Sequence, residues 1–258
     1  MIKLIRPDKP SQLAAEEHAL CEKYKSNNNI RVWDRDYIKA PLSSMGHGKC
    51  AYCETKLGSA DSYPEVEHFR CKSLYPELVV NWDNLLLVCK RCNIKKGDHD
   101  IEKEPIINPV DIYPRKHLEI YFSRYYPRGD SELGKNTIDV LDLNNTERLC
   151  KLVFEIEQKI CEQMNNCREQ LEAHINDLGN SERTHRKACR QLVALLKEAQ
   201  PTQAFSAITA TTILECPDYK PLKELFIKAG MWTGELAILE QTAINIALCR
   251  SSISSLGV

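Results

Sequence analysis

Residues 50–53 are Cys-Ala-Tyr-Cys, and residues 89–93 are Cys-Lys-Arg-Cys-Asn. The two Cys-x-x-Cys pairs are separated by 35 residues, 54–88. A single pair is also typical of a redox disulfide, but two pairs without a thioredoxin-like βαβ pattern favour a metal site. Four thiolates in this arrangement match the tetrahedral coordination of a closed structural zinc ion. The sequence therefore predicts that a structural Zn²⁺ joins two distant segments through Cys50, Cys53, Cys89 and Cys92.

A Glu-His pair lies between the two cysteine pairs, in the strand-like run 65–69. A neutral imidazole can take a proton from water at cellular pH, so His68 is a candidate general base. Glu67 and Asn93 offer hard oxygens that suit Mg²⁺, or Mn²⁺ in its place. In an ideal strand Glu67 and His68 point to opposite faces, so both reach one metal site only if the strand bends or the ion sits at its edge. These residue types together suit metal-assisted hydrolysis of a phosphodiester.

Four more polar residues belong to the candidate site. Asn84 precedes an apolar strand, 85–88, and is expected either to orient His68 through its backbone carbonyl or to tie down the loop. Candidates for the non-bridging phosphate oxygens are Arg70, Lys72 and Lys96. The alternative for each of these three is a solvated surface cation.

The charge balance sets limits on the partners. The formal net charge is −1, and residues 60–130 hold eleven Lys or Arg against twelve Asp or Glu. Most non-specific affinity for nucleic acid comes from basic side chains, so the sequence predicts a partner that delivers the substrate. No apolar run approaches the ~20 residues of a membrane span, and residues 1–8 do not resemble a secretory signal. We therefore expect a cytoplasmic protein with no membrane contact, in which the remaining thiols are reduced.

The fold class predicted is α+β, a mostly helical chain with a zinc-stapled core and a C-terminal helical module. Three domains are expected: N-terminal helices packing on the core (1–45), a metal and catalytic domain (46–143) and a C-terminal helical domain (144–258). Apolar periodicity and helix-capping residues predict further elements. The helices are expected at 11–25 (N-cap Ser11), 33–44, from Asn145 or Thr146 to Leu178, 181–199 (N-cap Ser181), 203–215, 219–229 and 233–250, and the strand-like runs are 118–122 and 137–141.

The longest predicted helix carries an apolar stripe from Leu149 to Leu178, and Gly179-Asn180 would end it. Because a helix of this length is hard to cover within a small domain, we expect the stripe to dock on a partner. The alternative is an ordinary intramolecular bundle of four or five helices.

Four motifs carry a resemblance to a known family: Lys49–Glu54, Val66–Arg70, Trp82–Leu86 and Cys92–Gly97. They resemble the zinc-stapled HNH endonucleases of ββα-metal fold and, more narrowly, the PtuB effector nucleases of Septu and retron anti-phage systems. The resemblance extends from about residue 33 to residue 148. It implies that His68 is the general base, that Glu67 and Asn93 are metal ligands and that Asn84 is the middle Asn of the HNH name.

The resemblance also implies partners. They are a DNA or RNA substrate, an ABC/SMC-type ATPase similar to PtuA and, in retrons, a reverse transcriptase with its RNA-linked DNA. The chain departs from the family pattern at two positions. Cys71 stands where the family has Pro and adds a fifth thiol near the site, and Asn93 replaces the second His of many HNH enzymes. The alternative function is a zinc-stabilised nucleic-acid-binding or assembly subunit without catalysis.

Overall fold

A computed structural model of the chain describes residues 1–58, 62–176 and 182–250. The chain forms two compact units. The first contains Met1–His117 and Asp130–Leu143, and the second contains Leu118–Gly129 and the chain from Asn144 onward. The predicted α+β class is confirmed, because helices predominate and the strands form small antiparallel sheets. The predicted division into three domains stays a prediction.

The first unit is built around a two-stranded sheet followed directly by a short helix. Strand β1 (Pro64–His68) pairs antiparallel with β2 (Leu85–Cys89), with Pro64 opposite Cys89 and His68 opposite Leu85. Every residue of β2 is buried, as its continuous apolar sequence predicts. The helices of this unit are α1 (Ser11–Ser26), α2 (Asp36–Met45), α3 (Lys90–Lys96) and α4 (Glu132–Val140), and its 3₁₀ turns are Pro76–Leu78, Trp82–Asn84 and Pro114–Lys116.

Backbone hydrogen bonds tie the first cysteine pair to the same sheet and close the turn of the pair itself. Ala51 N donates to the Leu87 carbonyl at 3.0 Å, and Cys50 N donates to the Thr55 carbonyl at 2.9 Å. Gly46, which ends α2, lies so close to the Lys49 carbonyl that a Cβ there would stand 2.8 Å from it. The turn that leads into Cys50 therefore requires glycine at this position.

The second unit is a helical bundle with a small hairpin. Its hairpin joins β3 (Leu118–Tyr121) to β4 (Arg124–Pro127). Helix α7 is buried along nearly its whole length, which explains its run of small and β-branched side chains. A π-helical turn, Thr146–Cys150, precedes α5 (Lys151–Asn176), and the remaining helices are α6 (Glu182–Glu198), α7 (Ser206–Glu215), α8 (Tyr219–Lys228) and α9 (Gly234–Ile246).

The strand predicted at residues 137–141 is wrong. Residues 137–141 lie in and just after α4, whose start is capped by Ser131 Oγ accepting from Gly134 N at 3.1 Å. Thr137 is buried and donates its hydroxyl to the Leu133 carbonyl at 2.6 Å, so this β-branched residue is satisfied inside a helix. Local capping and burial outweigh the strand preference of the run here.

Several helix ends also differ from those predicted. The second helix begins at Asp36 instead of residue 33, and Pro10 precedes α1 where Ser11 was the expected cap. Pro fits the start of a helix because its missing N–H has no partner there anyway. The predicted stop at Leu178–Asn180 and the cap at Ser181 lie outside the described residues.

The apolar stripe of α5 is core, so its predicted use as a docking surface is wrong. Helices α6, α7 and α8 pack along α5 and cover the stripe. Six members of the stripe are at most 5% exposed: Leu149, Val153, Ile160, Met164, Cys167 and Leu171. Ile156 is half-buried and packs against the cluster that contains Ile160. Within the described part of the chain, no helix is both long and apolar enough to cross a bilayer.

Candidate metal centre and catalytic site

The four cysteines of the two pairs meet in the interior of the first unit. Their Sγ atoms all lie within 4.8 Å of one another, and Cys53 Sγ is 3.8 Å from Cys89 Sγ. Zinc–sulfur bonds of ~2.3 Å in a tetrahedron separate the sulfurs by about 3.8 Å. The donor set and its spacing therefore fit a zinc ion. Cys71 Sγ is directed elsewhere, to the Asp98 carbonyl at 3.5 Å, and is not part of the group.

A buried ion-pair group lies beside the first cysteine pair. Glu54 accepts from the Met1 α-ammonium at 2.8 Å and from Lys49 Nζ at 2.9 Å. All three groups are almost fully buried. Charges out of water stay ionised only when they are paired in this way. Sequence reasoning missed this group, although Lys49 and Glu54 directly flank the Cys-x-x-Cys run.

His68 is held in one orientation and in one tautomer. Its Nε2 lies 2.9 Å from the Val79 carbonyl, which can only accept a hydrogen bond. Nε2 therefore carries the proton, and Nδ1 keeps the lone pair that a general base needs. The rings of Trp33 and His68 pack edge to face, with their centroids 4.7 Å apart. Burial, and then the charge of Lys72, lower the pKa of His68 to about 3, so the ring is neutral at cellular pH.

Glu67 is buried beside its sequence neighbour and is paired with Lys96. Lys96 Nζ lies 2.6 Å from Glu67 Oε1 and donates to the His68 carbonyl at 2.9 Å. Burial raises the pKa of Glu67 to about 7, while the charge of Lys96 opposes that rise. The prediction that Lys96 contacts a substrate phosphate is wrong for this arrangement, because its ammonium is buried and already occupied.

Asn93 is half-buried in the middle of α3, one residue after Cys92. Its Nδ2 donates to Glu65 Oε2 at 2.6 Å. Glu65 and Glu67 lie two residues apart on β1 and so share a strand face. Sequence reasoning missed Glu65, although this two-residue spacing was the signal that could have found it.

Asn84 secures the loop that follows His68, which was one of the two roles predicted for it. Its Oδ1 accepts from Arg70 N at 2.7 Å, and its Nδ2 donates to the Arg70 and Leu78 carbonyls at 3.0 and 3.2 Å. The Asn84 carbonyl also accepts from Phe69 N at 2.9 Å. The loop therefore leaves the strand at a fixed angle directly after His68.

Several of these residues line a cavity of about 150 Å³. Glu65, Glu67, His68 and Asn93 line it, together with Arg31, Trp33, Cys71, Lys72 and Asp98. Lys72 is half-buried and its Nζ lies 5.6 Å from the centroid of the Trp33 ring, so it stands at the cavity with its charge available. Arg70 instead lies on the surface, where its Nε donates to Glu102 at 2.7 Å. The structure thus brings His68, Glu67, Asn93 and Lys72 together and keeps Asn84 and Lys96 behind them as supports.

Comparison with known proteins gives the family. No protein-family model matches the chain. It is 41% identical to the Septu protein PtuB of Bacillus thuringiensis over 91% of this chain and 90% of that protein. It is 32% identical to the Septu protein PtuB of Bacillus mycoides (strain KBAB4), over 50% of this chain and 55% of that protein. The first match covers nearly the whole of both proteins at substantial identity, so the chain belongs to the Septu PtuB family.

Proposed function

We propose that the chain is a metal-dependent nuclease of the HNH type that hydrolyses phosphodiester bonds as the effector of a Septu-type anti-phage system in the cytoplasm. One observation carries the proposal. A neutral, oriented histidine faces the same small cavity as the carboxylate of Glu67 and the amide of Asn93. A general base next to hard oxygen ligands is the set that metal-assisted phosphodiester hydrolysis needs.

The cavity suits a hard divalent cation. Lys96 contacts Oε1 of Glu67, which leaves Oε2 as a ligand, and Asn93 supplies a second oxygen. Mg²⁺ sites typically have only a few protein ligands and leave room for waters and phosphate oxygens. Mn²⁺ accepts the same donors. When bound, the ion would neutralise charge on the scissile phosphate and on the leaving oxygen.

The protein side of the reaction is a proton transfer at His68. Nδ1 takes the proton of the attacking water, while the Val79 carbonyl and Trp33 keep the ring in place. A phosphodiester anion beside the ring raises its pKa from the low value of the free protein towards the range of an effective general base. Lys72 would contact the non-bridging oxygens from the cavity wall, and Arg70 would follow the phosphate backbone at the surface.

The proposal extends to partners. We infer that an ABC/SMC-type ATPase similar to PtuA controls access to DNA or RNA, because a chain of net charge −1 has little electrostatic affinity of its own for nucleic acid. In a retron-type system a reverse transcriptase with its RNA-linked DNA would join this ATPase. Purification together with the products of neighbouring genes would show whether the assembly contains the ATPase alone or the reverse transcriptase as well.

The test is cleavage by the purified complex. With Mg²⁺ or Mn²⁺ it should cut plasmid, single-stranded DNA or total RNA, and His68→Ala should reduce the rate by at least about a hundredfold. His18→Ala is the matched control, because His18 is exposed on α1. Zinc content should be equal in the wild type and both variants, and both variants should remain folded at the assay temperature. Undiminished cutting by His68→Ala would refute the assignment.

One observation favours the second candidate, a zinc-stabilised subunit without catalysis. Lys96 already neutralises Glu67, so the carboxylate has a structural partner in the absence of a metal ion. Tight nucleic-acid binding without cleavage under every divalent metal, in the full complex as well as alone, would support this alternative.

A further inference from the structure

We propose that Glu65 is a positioning residue that orients the side-chain amide of Asn93, so that the amide oxygen and not the nitrogen is presented as a metal ligand. This inference rests on the proposed nuclease function. It concerns a residue outside the set that the HNH motif identifies.

The contact joins the two halves of the candidate site. Glu65 lies on β1, on the strand face it shares with Glu67, whereas Asn93 lies on α3. Both Glu65 and Asn93 line the cavity that contains His68. Asn93 Nδ2 donates to Glu65 Oε2 at 2.6 Å, which is the short distance of a charge-assisted hydrogen bond.

The chemistry of the two groups fixes the direction of this bond. An ionised carboxylate only accepts hydrogen bonds, and the amide of Asn93 has its donors on Nδ2 alone. Glu65 therefore selects the amide orientation in which Nδ2 faces the carboxylate and Oδ1 is turned away from it. Only the oxygen can bind a hard cation.

The rest of Asn93 is already fixed without Glu65. Its backbone belongs to α3, where its carbonyl accepts from Gly97 N at 2.9 Å, and the preceding residue, Cys92, belongs to the four-thiol group. The remaining freedom is rotation of the side chain. A neutral amide is a weak metal ligand, so an Asn93 amide free to present its nitrogen instead of its oxygen would lower the affinity for the metal. Loss of a residue that hydrogen-bonds a metal ligand typically weakens metal binding by about 10–100-fold.

The experiment measures Mn²⁺ binding to the zinc-loaded full chain by electron paramagnetic resonance. Glu65→Ala should weaken binding by about tenfold or more. Glu65→Gln should weaken it less, because a glutamine oxygen still accepts from Nδ2. In an Asn93→Ala background, Glu65→Ala should cause no further loss, since the residue through which it acts is gone. Cleavage rates of the complex should rank in the same order.

Glu132→Ala is the control for removal of an acidic side chain, because Glu132 is 77% exposed on α4 in the same unit. Zinc content and the thermal midpoint should match across all variants. Unchanged Mn²⁺ affinity in Glu65→Ala would overturn this inference but not the proposed function. A further loss on adding Glu65→Ala to Asn93→Ala would overturn it in favour of direct ligation by Glu65. If the wild-type chain neither binds Mn²⁺ nor cleaves in the complex, the proposed function itself fails and the inference with it.

Discussion

Lys96 lies inside the first unit, where its ammonium bridges the Glu67 carboxylate and the His68 carbonyl. Breaking a buried pair by removing one partner costs about 3–5 kcal/mol, because it leaves an uncompensated buried group. Lys96→Met should therefore lower the free energy of unfolding of the zinc-loaded chain by about 3 kcal/mol in urea titrations.

Lys95→Met is the matched control. Lys95 is the adjacent residue and is 54% exposed, and its ion pair with Asp142 lies at the surface. Such pairs contribute about 0–1 kcal/mol. Equal losses in the two variants would contradict the burial of the Lys96–Glu67 pair. Adding Glu67→Gln to Lys96→Met should restore part of the stability, because the unpaired carboxylate is then removed.

The same residue shows what the sequence could predict at this scale. The sequence could nominate His68, Glu67 and Asn93 because their chemistry is visible in it. Their positions are visible too, since Glu67 and His68 lie between the cysteine pairs and Asn93 directly follows the second pair. The roles of Lys96 and Glu65 depend on which strand face and which side of a helix meet, and this is settled by the β1–β2 register and the start of α3. A basic residue near a predicted phosphate site is therefore not assignable to solvent or core without the fold.

At the scale of elements, the four-thiol group connects β2, α3 and the loop of Cys50–Cys53. Cys89 ends β2 and directly precedes α3, so its zinc bond would hold Asn93 in place through the helix. Cys89→Ser should lose zinc, from about one ion per chain towards none, and should unfold the first unit, because structural zinc contributes directly to folding. Elemental analysis and thermal unfolding measure both effects.

Cys21→Ser is the control for this prediction. Cys21 is also buried, but its Sγ faces the Pro76 and Glu77 carbonyls, and a hydroxyl can donate to these as well. This variant should keep its zinc. A Cys89→Ser protein with wild-type zinc content and stability would remove the zinc site from the account of the fold.

Elements differ in how much of them the sequence determines. Strands β1 and β2 were predictable because an apolar or alternating run lies between turn signals, and the cysteine spacing adds a constraint. Residues 137–141 have the same apolar character, yet they belong to α4 because Ser131 caps the helix and Leu133 receives the Thr137 hydroxyl. Periodicity alone does not separate a short strand from a short buried helix.

For the whole molecule, the apolar stripe of α5 determines what partner-docking experiments can show. Ile160 is 5% exposed within a cluster that includes Met164, Leu222 and Phe226. Ile160→Asp places an unpaired carboxylate in this cluster and should destabilise the second unit by at least about 3 kcal/mol. Hydrogen exchange should become faster in α5 and α7 and stay unchanged in β2, since β2 belongs to the other compact unit.

Phe154→Asp is the informative comparison, because Phe154 lies on the same helix but is 53% exposed. It should leave the exchange rates of α5 and α7 unchanged. Loss of partner co-purification in Ile160→Asp would therefore report unfolding, whereas the same loss in Phe154→Asp would locate docking on the exposed side of α5. Normal folding of Ile160→Asp with loss of the partner would contradict the buried stripe and restore the docking surface that periodicity predicts.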